Sequence, residues 1–281
     1  VAARLAGVPI IIHTVHGWSF HEHMSASVRR TYISLERLAA RFTDALVVVS
    51  QGDIQKGLRA GIGRPDQFAL IRSAIPLDRF DPSRVDQDAV RQELGLPPHA
   101  PVLGCVGRFS EQKNPLDWVT LAGRVARQLP DCWFLLVGDG PLRSQVESAL
   151  QKESIVERTV LTGLRRDAAR MMAAMDVFLL TSLWEGLPRV IPQAMAMGIP
   201  VVAYPTDGVV EAIQHGKTGY LADPRDLLAT SDLILNLLQN AALRHAMGQR
   251  GQDYAREEFD LRRMIAEIET LYDSLLSKSK R

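Results

Sequence analysis

One segment of the chain, residues 181–204, narrows the choice of fold more than any other. It reads TSLWEGLPRVIPQAMAMGIPVVAY, and the apolar run at residues 177–180 before it predicts a strand buried on both faces. Glu185-Gly186-Leu187-Pro188 interrupts the apolar pattern, residues 192–197 predict a short helix, and residues 199–204 predict a second buried strand. Open parallel sheets bind ligands at such turns between a strand's carboxyl end and a helix, which makes this turn the first candidate site.

Strand-like apolar runs alternate with helical patterns along the rest of the chain. The other predicted strands lie at residues 8–12, 45–49, 68–71, 102–106, 133–137, 159–161 and 220–222. This alternation predicts an α/β fold, with right-handed crossovers and parallel sheets covered by helices on both faces. A more polar, proline-containing stretch at residues 76–101 divides the strands into two series, so we expect two domains.

Composition argues against several classes of protein. The 281 residues are 46% hydrophobic and 23% charged, which is typical of a globular protein with a proper core. A net charge of +1 creates no field that would favour nucleic acid. No uncharged apolar run approaches the roughly 20 residues of a membrane span, and no segment resembles a signal peptide. Cys105 and Cys132 lie in or beside apolar runs, so we interpret them as buried small hydrophobes in a reducing compartment.

Two cations and a carboxylate follow predicted strands. Arg108 and Lys113 flank a glycine-containing turn that leads into a helix, where they could hold a diphosphate or be ordinary surface charges. Neither the Walker spacing nor the dinucleotide G-x-G-x-x-G pattern is present. Glu185 could accept hydrogen bonds from sugar hydroxyls or cap a helix, and Gly186 lets a backbone approach a ligand closely.

Histidines cluster near the start of the chain. His16 could donate a hydrogen bond near developing negative charge, or be a turn histidine with no catalytic role. His13, His21 and His23 raise the question of a metal site. No cysteine or carboxylate pair with ligand spacing accompanies them, so we expect no metal.

A predicted helix at residues 28–42 has one apolar and one basic face. The apolar residues recur at helical spacing and predict the buried side; they are Val28, Tyr32, Leu35, Leu38, Ala39 and Phe42. The basic face carries Arg29, Arg30, Arg37 and Arg41. One interpretation is a solvated face, and the other is contact with anionic lipid or a phosphorylated acceptor.

Together these segments resemble glycosyltransferase family 4, whose members are retaining enzymes with the two-domain GT-B architecture. The matching pieces, in chain order, are HTVHGWSF, LVVVSQGD, VGRFSEQKN, LLVGDGPLR, the segment at residues 181–204 and EAIQHGKTGYL. The resemblance implies two Rossmann-like domains facing a cleft. Their predicted bounds are 1–82 for the acceptor-side domain, 83–100 for a linker, 101–250 for the donor domain, and 251–281 for helices crossing back to the first domain.

The resemblance also implies roles for individual residues. Arg108 and Lys113 would hold the donor's diphosphate, Glu185 would contact hydroxyls of the transferred sugar, and His16 would reach the sugar from the first domain. The donor would also meet Gly138 and the turn formed by Gly186, Leu187 and Pro188. The substrate is a nucleotide-diphosphate sugar, no cofactor is implied, and no metal is expected for the chemistry.

Two departures from the family pattern stand out. The family usually has a second glutamate eight positions after the first, where this chain has Gln193. A neutral amide in place of a carboxylate predicts donor binding weaker by roughly 1–2 kcal/mol. Family members also carry further strands before the HTVHG segment, so we expect an incomplete first sheet with an exposed edge, as in a fragment of a longer protein.

The favoured hypothesis is a hexosyltransferase-type enzyme that moves a sugar from a nucleotide donor to a polysaccharide, lipid-linked or other envelope acceptor. The alternative is a truncated or degenerate relative that binds nucleotide sugars without transfer. A GT-B epimerase is a third hypothesis, but the acid and base residues that it should have around the cleft are not evident. The expected location is cytoplasmic, with peripheral contact at the inner membrane face through the basic helix.

Overall fold

The computed structural model describes residues 2–279, which form two parallel sheets flanked by helices. Residues 1, 280 and 281, at the outer ends of the predicted first and last segments, lie outside the described part. No helix among residues 2–279 is both long and apolar enough to cross a bilayer.

The first sheet has three strands in the order β1-β2-β3, namely β1 (Ile12–Val15), β2 (Ala45–Val48) and β3 (Phe68–Leu70). Its helices are α1 (Ala2–Leu5), α2 (Ala26–Ala40) and α3 (Gln51–Arg59). The prediction placed the first strand at residues 8–12. The observed strand starts later, with Ile12 opposite Ala45, because hydrogen bonding to β2, and not the apolar run, determines where the strand begins.

The packing of α2 corrects the prediction about its faces. Val28, Tyr32, Leu35 and Leu38 are 39–56% exposed, although their spacing predicted a buried face. Ile33 and Ala40 are the α2 residues that pack with the core of the three-stranded sheet. Helical periodicity identifies residues that share a face, but it does not reveal which neighbour covers that face.

The second sheet has six parallel strands in the order β6-β5-β4-β7-β8-β9. The strands are β4 (Val102–Val106), β5 (Trp133–Val137), β6 (Thr159–Gly163), β7 (Val177–Leu180), β8 (Val201–Ala203) and β9 (Gly219–Leu221). Numbered from its first strand, this is the doubly wound order 3-2-1-4-5-6, which reverses direction between β4 and β7. The central strands β7 and β8 are buried along their whole length, as predicted.

Helices cover both faces of the second sheet. They are α4 (Gln87–Glu93), α5 (Pro115–Gln128), α6 (Arg143–Lys152), α7 (Ala168–Ala173), α8 (Val190–Ala196), α9 (Val209–Ala212), α10 (Leu227–Gln239) and α11 (Ala241–Glu258), followed by α12 (Leu261–Ser279). The helix α4 lies inside the predicted linker, yet Arg91 joins it to the six-stranded unit through a 2.8 Å ion pair with Asp176. The domain boundaries themselves stay a prediction.

The two cysteines are free, as predicted. Cys132 is buried and Cys105 is half-buried on β4. Burial raises the pKa of each thiol to about 12, so both are protonated at neutral pH.

The chain returns to the first unit where α11 ends. The N–H of Ile75, which follows β3, donates to the carbonyl of Phe259, and the N–H of Leu261 donates to the carbonyl of Ile75. Arg72 adds an ion pair with Glu258 at 3.1 Å. These contacts place the start of α12 against the segment that leaves the three-stranded sheet.

Candidate active site

The predicted site residues follow the two strands between which the strand order reverses. The loop containing Arg108 and Lys113 follows β4, and the loop containing Glu185 follows β7. Because β4 and β7 are adjacent and parallel, their carboxyl ends open on the same edge of the sheet. Doubly wound sheets bind ligands in the crevice at this point.

Hydrogen bonds lock the two loops together. The N–H of Leu183 donates to the carbonyl of Gln112 at 2.8 Å, and the Gln112 side-chain amide donates to the carbonyl of Trp184 at 3.0 Å. The hydroxyl of Thr181 donates to the carbonyl of Lys113 at 3.1 Å. These bonds hold Lys113 close to the chain that carries the Glu185 side chain.

Lys113 and Glu185 form an ion pair between the loops. The Glu185 side chain is 8% exposed and the Lys113 side chain 23% exposed, so the pair is largely shielded from water. Arg108 is exposed and lines a small cavity together with Lys113. Lys113 therefore links the two other predicted groups, and all three lie at one edge of the sheet.

The turn after Glu185 packs directly against the first unit. A Cβ atom on Gly186 would lie 2.2 Å from the carbonyl oxygen of His16, so only glycine fits here. The exposed His16 and the buried Glu185 both line a cavity of about 180 Å³ between the units. The structure thus brings His16 to the same cleft as the carboxylate.

The rest of the predicted turn differs from expectation at its helix. We predicted that α8 starts at Pro192, but it begins at Val190, with Pro192 in its first turn, where a missing N–H costs nothing. Leu187 and Pro188 are buried. Within residues 2–279, the N–H groups of Leu187 and Arg189 donate to no protein acceptor.

Two further predicted donor-binding residues lie on neighbouring elements. Gln193 is half-buried on α8. Its contact with the donor stays a prediction. Gly138 has φ 143°, and a Cβ there would lie 1.9 Å from the carbonyl oxygen of Gly107. Gly138 therefore packs against the start of the Arg108 loop.

The start of α5 corrects a detail of the sequence analysis. Asn114 occupies the N-cap position of α5, as its place before Pro115 suggests, but its side chain makes no capping bond. Its backbone is left-handed, with φ 46°, because a short 3-10 turn at Glu111–Lys113 precedes it. The hydroxyl of Thr181 instead bonds the carbonyl of Asn114 at 2.9 Å.

Sequence reasoning missed three residues that build the site: Thr181, Gln112 and Trp184. Each takes part in a hydrogen bond with a residue about 70 positions away in the sequence, so no local spacing could have identified it. The only available signal was that Trp184 is a large aromatic residue directly before the predicted carboxylate.

The early histidines lie near the cleft without forming a metal-type cluster. His13 Nδ1 is 4.0 Å from Glu36, and His21 stacks on Trp184 with His23 beside it. Across residues 2–279, no three His, Cys, Asp or Glu side chains are grouped as a metal site would require. The expectation that no metal is needed for the chemistry stays a prediction.

The sequence is similar to known transferases along most of its length. The family model described as "Glycosyl transferases group 1" matches residues 86–254. UDP-Gal:alpha-D-GlcNAc-diphosphoundecaprenol alpha-1,3-galactosyltransferase of Escherichia coli is 30% identical over 99% of this chain and 73% of its own length. N-acetyl-alpha-D-glucosaminyl L-malate synthase of Bacillus anthracis is 29% identical over 69% of this chain, which spans about half (51%) of that relative.

Solved structures agree with this assignment. Anabaena Alr3699/HepE, in complex with UDP and glucose, superposes with a TM-score of 0.86 at 25% identity, covering 98% of this chain and 74% of the other. Sucrose-phosphate synthase of Thermosynechococcus elongatus gives a TM-score of 0.83, also at 25% identity, over 95% of this chain and 68% of that one. The predicted GT-B fold is confirmed, and the chain belongs to the glycosyl transferases of group 1.

Proposed function

We propose that this chain transfers a sugar from a nucleoside-diphosphate donor, with UDP as the nucleotide, to a lipid-linked or polysaccharide acceptor. The observation that carries the proposal is the meeting of Arg108, Lys113 and Glu185 where the strand order reverses. The Escherichia coli relative is named for a UDP-sugar and a diphosphoundecaprenol acceptor, and the Anabaena structure holds UDP and glucose.

Arg108 and Lys113 bind the donor's diphosphate and stabilise its charge as the nucleoside diphosphate leaves. Lys113 keeps its contact with Glu185 at the same time, because an ammonium group has three donors to share. Glu185 accepts hydrogen bonds from hydroxyls of the sugar being transferred. The N–H groups of Leu187 and Arg189, which donate to no acceptor among residues 2–279, offer further donors from the same turn.

The chemistry follows from the charges in the cleft. The two cations balance the negative charge of the diphosphate, so we assign no step to a metal ion. His16 donates to the sugar from the first unit, across the cavity that it shares with Glu185. Attack on the face that the diphosphate leaves retains the anomeric configuration. Gln193 contacts the donor's ribose more weakly than a glutamate would.

We also propose where the reaction takes place and which side chains lie on the acceptor side. We place the reaction at the cytoplasmic face of the membrane, where a lipid-linked acceptor would be reached. The basic residues Arg29, Arg30, Arg37 and Arg41 of α2 and the turn after it lie on the acceptor-side unit. The alternative, a binder without transfer activity, is supported only by Gln193, whereas the named relatives favour transfer.

Replacing Lys113 tests the donor site. Lys113→Ala should lower transfer by at least about 10²–10³-fold, because it removes a preorganised cation from the departing diphosphate. UDP binding should weaken in parallel. The measurements are calorimetric titration with UDP and transfer from UDP-galactose to the GlcNAc-diphosphoundecaprenol acceptor that is named for the Escherichia coli relative.

Lys152→Ala is the matched control, since Lys152 is an exposed lysine at the end of α6. It should behave as wild type in both measurements. Unchanged UDP affinity and turnover in Lys113→Ala, with an intact fold by circular dichroism, would rule out the diphosphate role. A thermal-shift series with UDP, GDP, ADP and TDP tests the choice of nucleotide.

A further inference from the structure

A second, larger cavity adjoins the site on the acceptor side. Its volume is about 620 Å³, against about 180 Å³ for the cavity that holds His16 and Glu185. Phe20, Lys56 and Trp184 line both cavities, so the two cavities lie side by side. The larger cavity shares no lining residue with the pocket of Arg108 and Lys113.

An aromatic stack forms one wall of the larger cavity. The ring of His21 lies parallel to the indole of Trp184, with centroids 4.0 Å apart and an interplanar angle of 10°. Trp184 directly precedes Glu185, so this wall runs into the transfer site. Burial, then the neighbouring His23 and Lys56, lower the pKa of His21.

The cavity contains more positive than negative side chains. Four cations line it, Arg29, Arg37, Lys56 and Arg59, against the carboxylates of Glu22 and Asp207. Lys56 is paired with Asp207 at 3.3 Å. Arg37 donates from Nε to the carbonyl of Ala60.

Arg29 differs from these side chains. Its Nε is buried and, within residues 2–279, has no hydrogen-bond partner; the same is true of His21 Nδ1 in the same cavity. No ion pair within residues 2–279 involves the Arg29 guanidinium, so this lining cation of the cavity is available to an anionic ligand. A guanidinium group binds phosphate in preference to neutral groups, because its paired donors match two phosphate oxygens.

We propose that the larger cavity binds a phosphate or diphosphate group of the acceptor, with Arg29 as the principal contact. The inference rests on the proposed function, since it places the acceptor's anionic group in the cavity beside the transfer site. The donor's diphosphate occupies the separate pocket of Arg108 and Lys113. The acceptor is thus a sugar phosphate, either free or carried on a lipid.

Inorganic pyrophosphate is the probe for the first experiment, in the Lys113→Ala background so that the donor pocket is already weakened. Calorimetry should show binding that falls about tenfold or more when Arg29→Gln is added, because a charge-assisted contact is lost. Arg30→Gln is the matched control: Arg30 is the next residue of α2, is exposed, and does not line the cavity. Arg59→Gln should give an intermediate loss.

The outcomes separate this inference from the proposed function. Equal losses in Arg29→Gln and Arg30→Gln, or no binding of pyrophosphate, would overturn the inference. UDP binding, measured in the otherwise wild-type chain, should be unchanged by Arg29→Gln. If Lys113→Ala leaves UDP binding intact while Arg29→Gln still weakens pyrophosphate binding, the donor assignment fails and the anion site stands. Arg29→Lys, which keeps the charge, should recover part of the lost pyrophosphate affinity.

A vesicle experiment distinguishes a lipid-borne phosphate from a free one. Cosedimentation is compared for phosphatidylcholine vesicles with a polyprenyl diphosphate and for vesicles with phosphatidylglycerol at equal charge. A lipid-borne acceptor predicts that Arg29→Gln weakens binding to the diphosphate vesicles selectively, whereas Arg30→Gln, on the basic face outside the cavity, changes binding to both charged vesicle types to the same extent. A free sugar phosphate predicts no such binding, but competition of glucose 1-phosphate with pyrophosphate. Equal binding to both charged vesicle types, lowered alike by both variants, identifies a general membrane surface and refutes the inference.

Discussion

At the scale of single residues, the parts of the site that could be predicted are those that follow strands. Lys113 and Glu185 lie in the loops that follow apolar runs, and chain geometry alone brings the ends of adjacent parallel strands together. Thr181 and Gln112 could not be predicted, because their bonds join loops that no sequence spacing relates. The exposure of Arg108 was not foreseeable either.

Asp53 is a buried carboxyl group beside the cleft. Its titration should change the free energy of unfolding with pH. Its side chain accepts a hydrogen bond from the Ser50 hydroxyl at 2.7 Å, and it is 1% exposed. Burial raises the pKa of Asp53 to about 6, against the lowering effect of the Ser50 hydrogen bond. Because the folded pKa exceeds the unfolded one, its favourable contribution is complete at low pH and is lost as pH rises toward 6.

Comparison with Asp53→Asn isolates this effect. Between pH 4 and pH 7, the free energy of unfolding of wild type should fall by about 1–3 kcal/mol relative to Asp53→Asn. Urea unfolding of both proteins at pH 4, 5, 6 and 7 measures the difference. Asp131→Asn, at an exposed position, should show no such trend. A wild type that gains stability over Asp53→Asn as pH rises would contradict the assignment.

At the scale of elements, α11 holds α8 and thereby the turn that carries Glu185. A Cβ atom on Gly248 of α11 would lie 2.0 Å from the carbonyl oxygen of Gly198, just past the end of α8. The Gln252 amide donates to the carbonyl of Ala196 at 3.1 Å. The sequence predicted the short helix at residues 192–197, but not that a glycine of α11 would lie at its contact, because glycine lowers the helix propensity of a segment.

Gly248→Ala should therefore destabilise the protein by about 1–3 kcal/mol, although alanine is the better helix former. Gly251→Ala is the matched control on the same helix. A Cβ there would lie 3.5 Å from Met195 Cγ, an ordinary contact, so this variant should gain up to about 1 kcal/mol. Chemical unfolding of the three proteins gives both values. Gly248→Ala at or above wild-type stability would show that the backbones can separate without cost.

At the scale of the whole molecule, the sequence predicted two strand–helix units, a linker and helices that cross back, but not the side-chain contacts between the units. The carboxylate of Glu211 accepts hydrogen bonds from the N–H groups of Gln51 at 3.0 Å and Gly52 at 2.8 Å, at the start of α3. Arg72 pairs with the same carboxylate at 3.3 Å. The partners lie 160 and 159 positions apart, so only folding of both units brings them together.

Glu211→Gln should loosen this connection, because the amide loses the charge that both the helix start and Arg72 attract. We expect UDP binding about 5- to 30-fold weaker, from about 1–2 kcal/mol less favourable closure of the cleft. Small-angle scattering should show a larger radius of gyration. Glu269→Gln, at an exposed position on α12, is the control. If scattering and UDP affinity both stay at wild-type values, Glu211 does not set the closure of the cleft.

The main-chain contact between the units at Gly186 has a mechanical consequence. A Cβ on Gly17 would lie 3.1 Å from the main-chain nitrogen of Gly186, just as one on Gly186 would lie 2.2 Å from the carbonyl oxygen of His16. Flexible side chains at an interface let neighbours slide over a range of separations, since rotamers adjust. Main-chain atoms cannot adjust in that way, so the two units either contact each other here at one fixed distance or separate. The gap available to a sugar beside Glu185 is consequently reproducible from one turnover to the next.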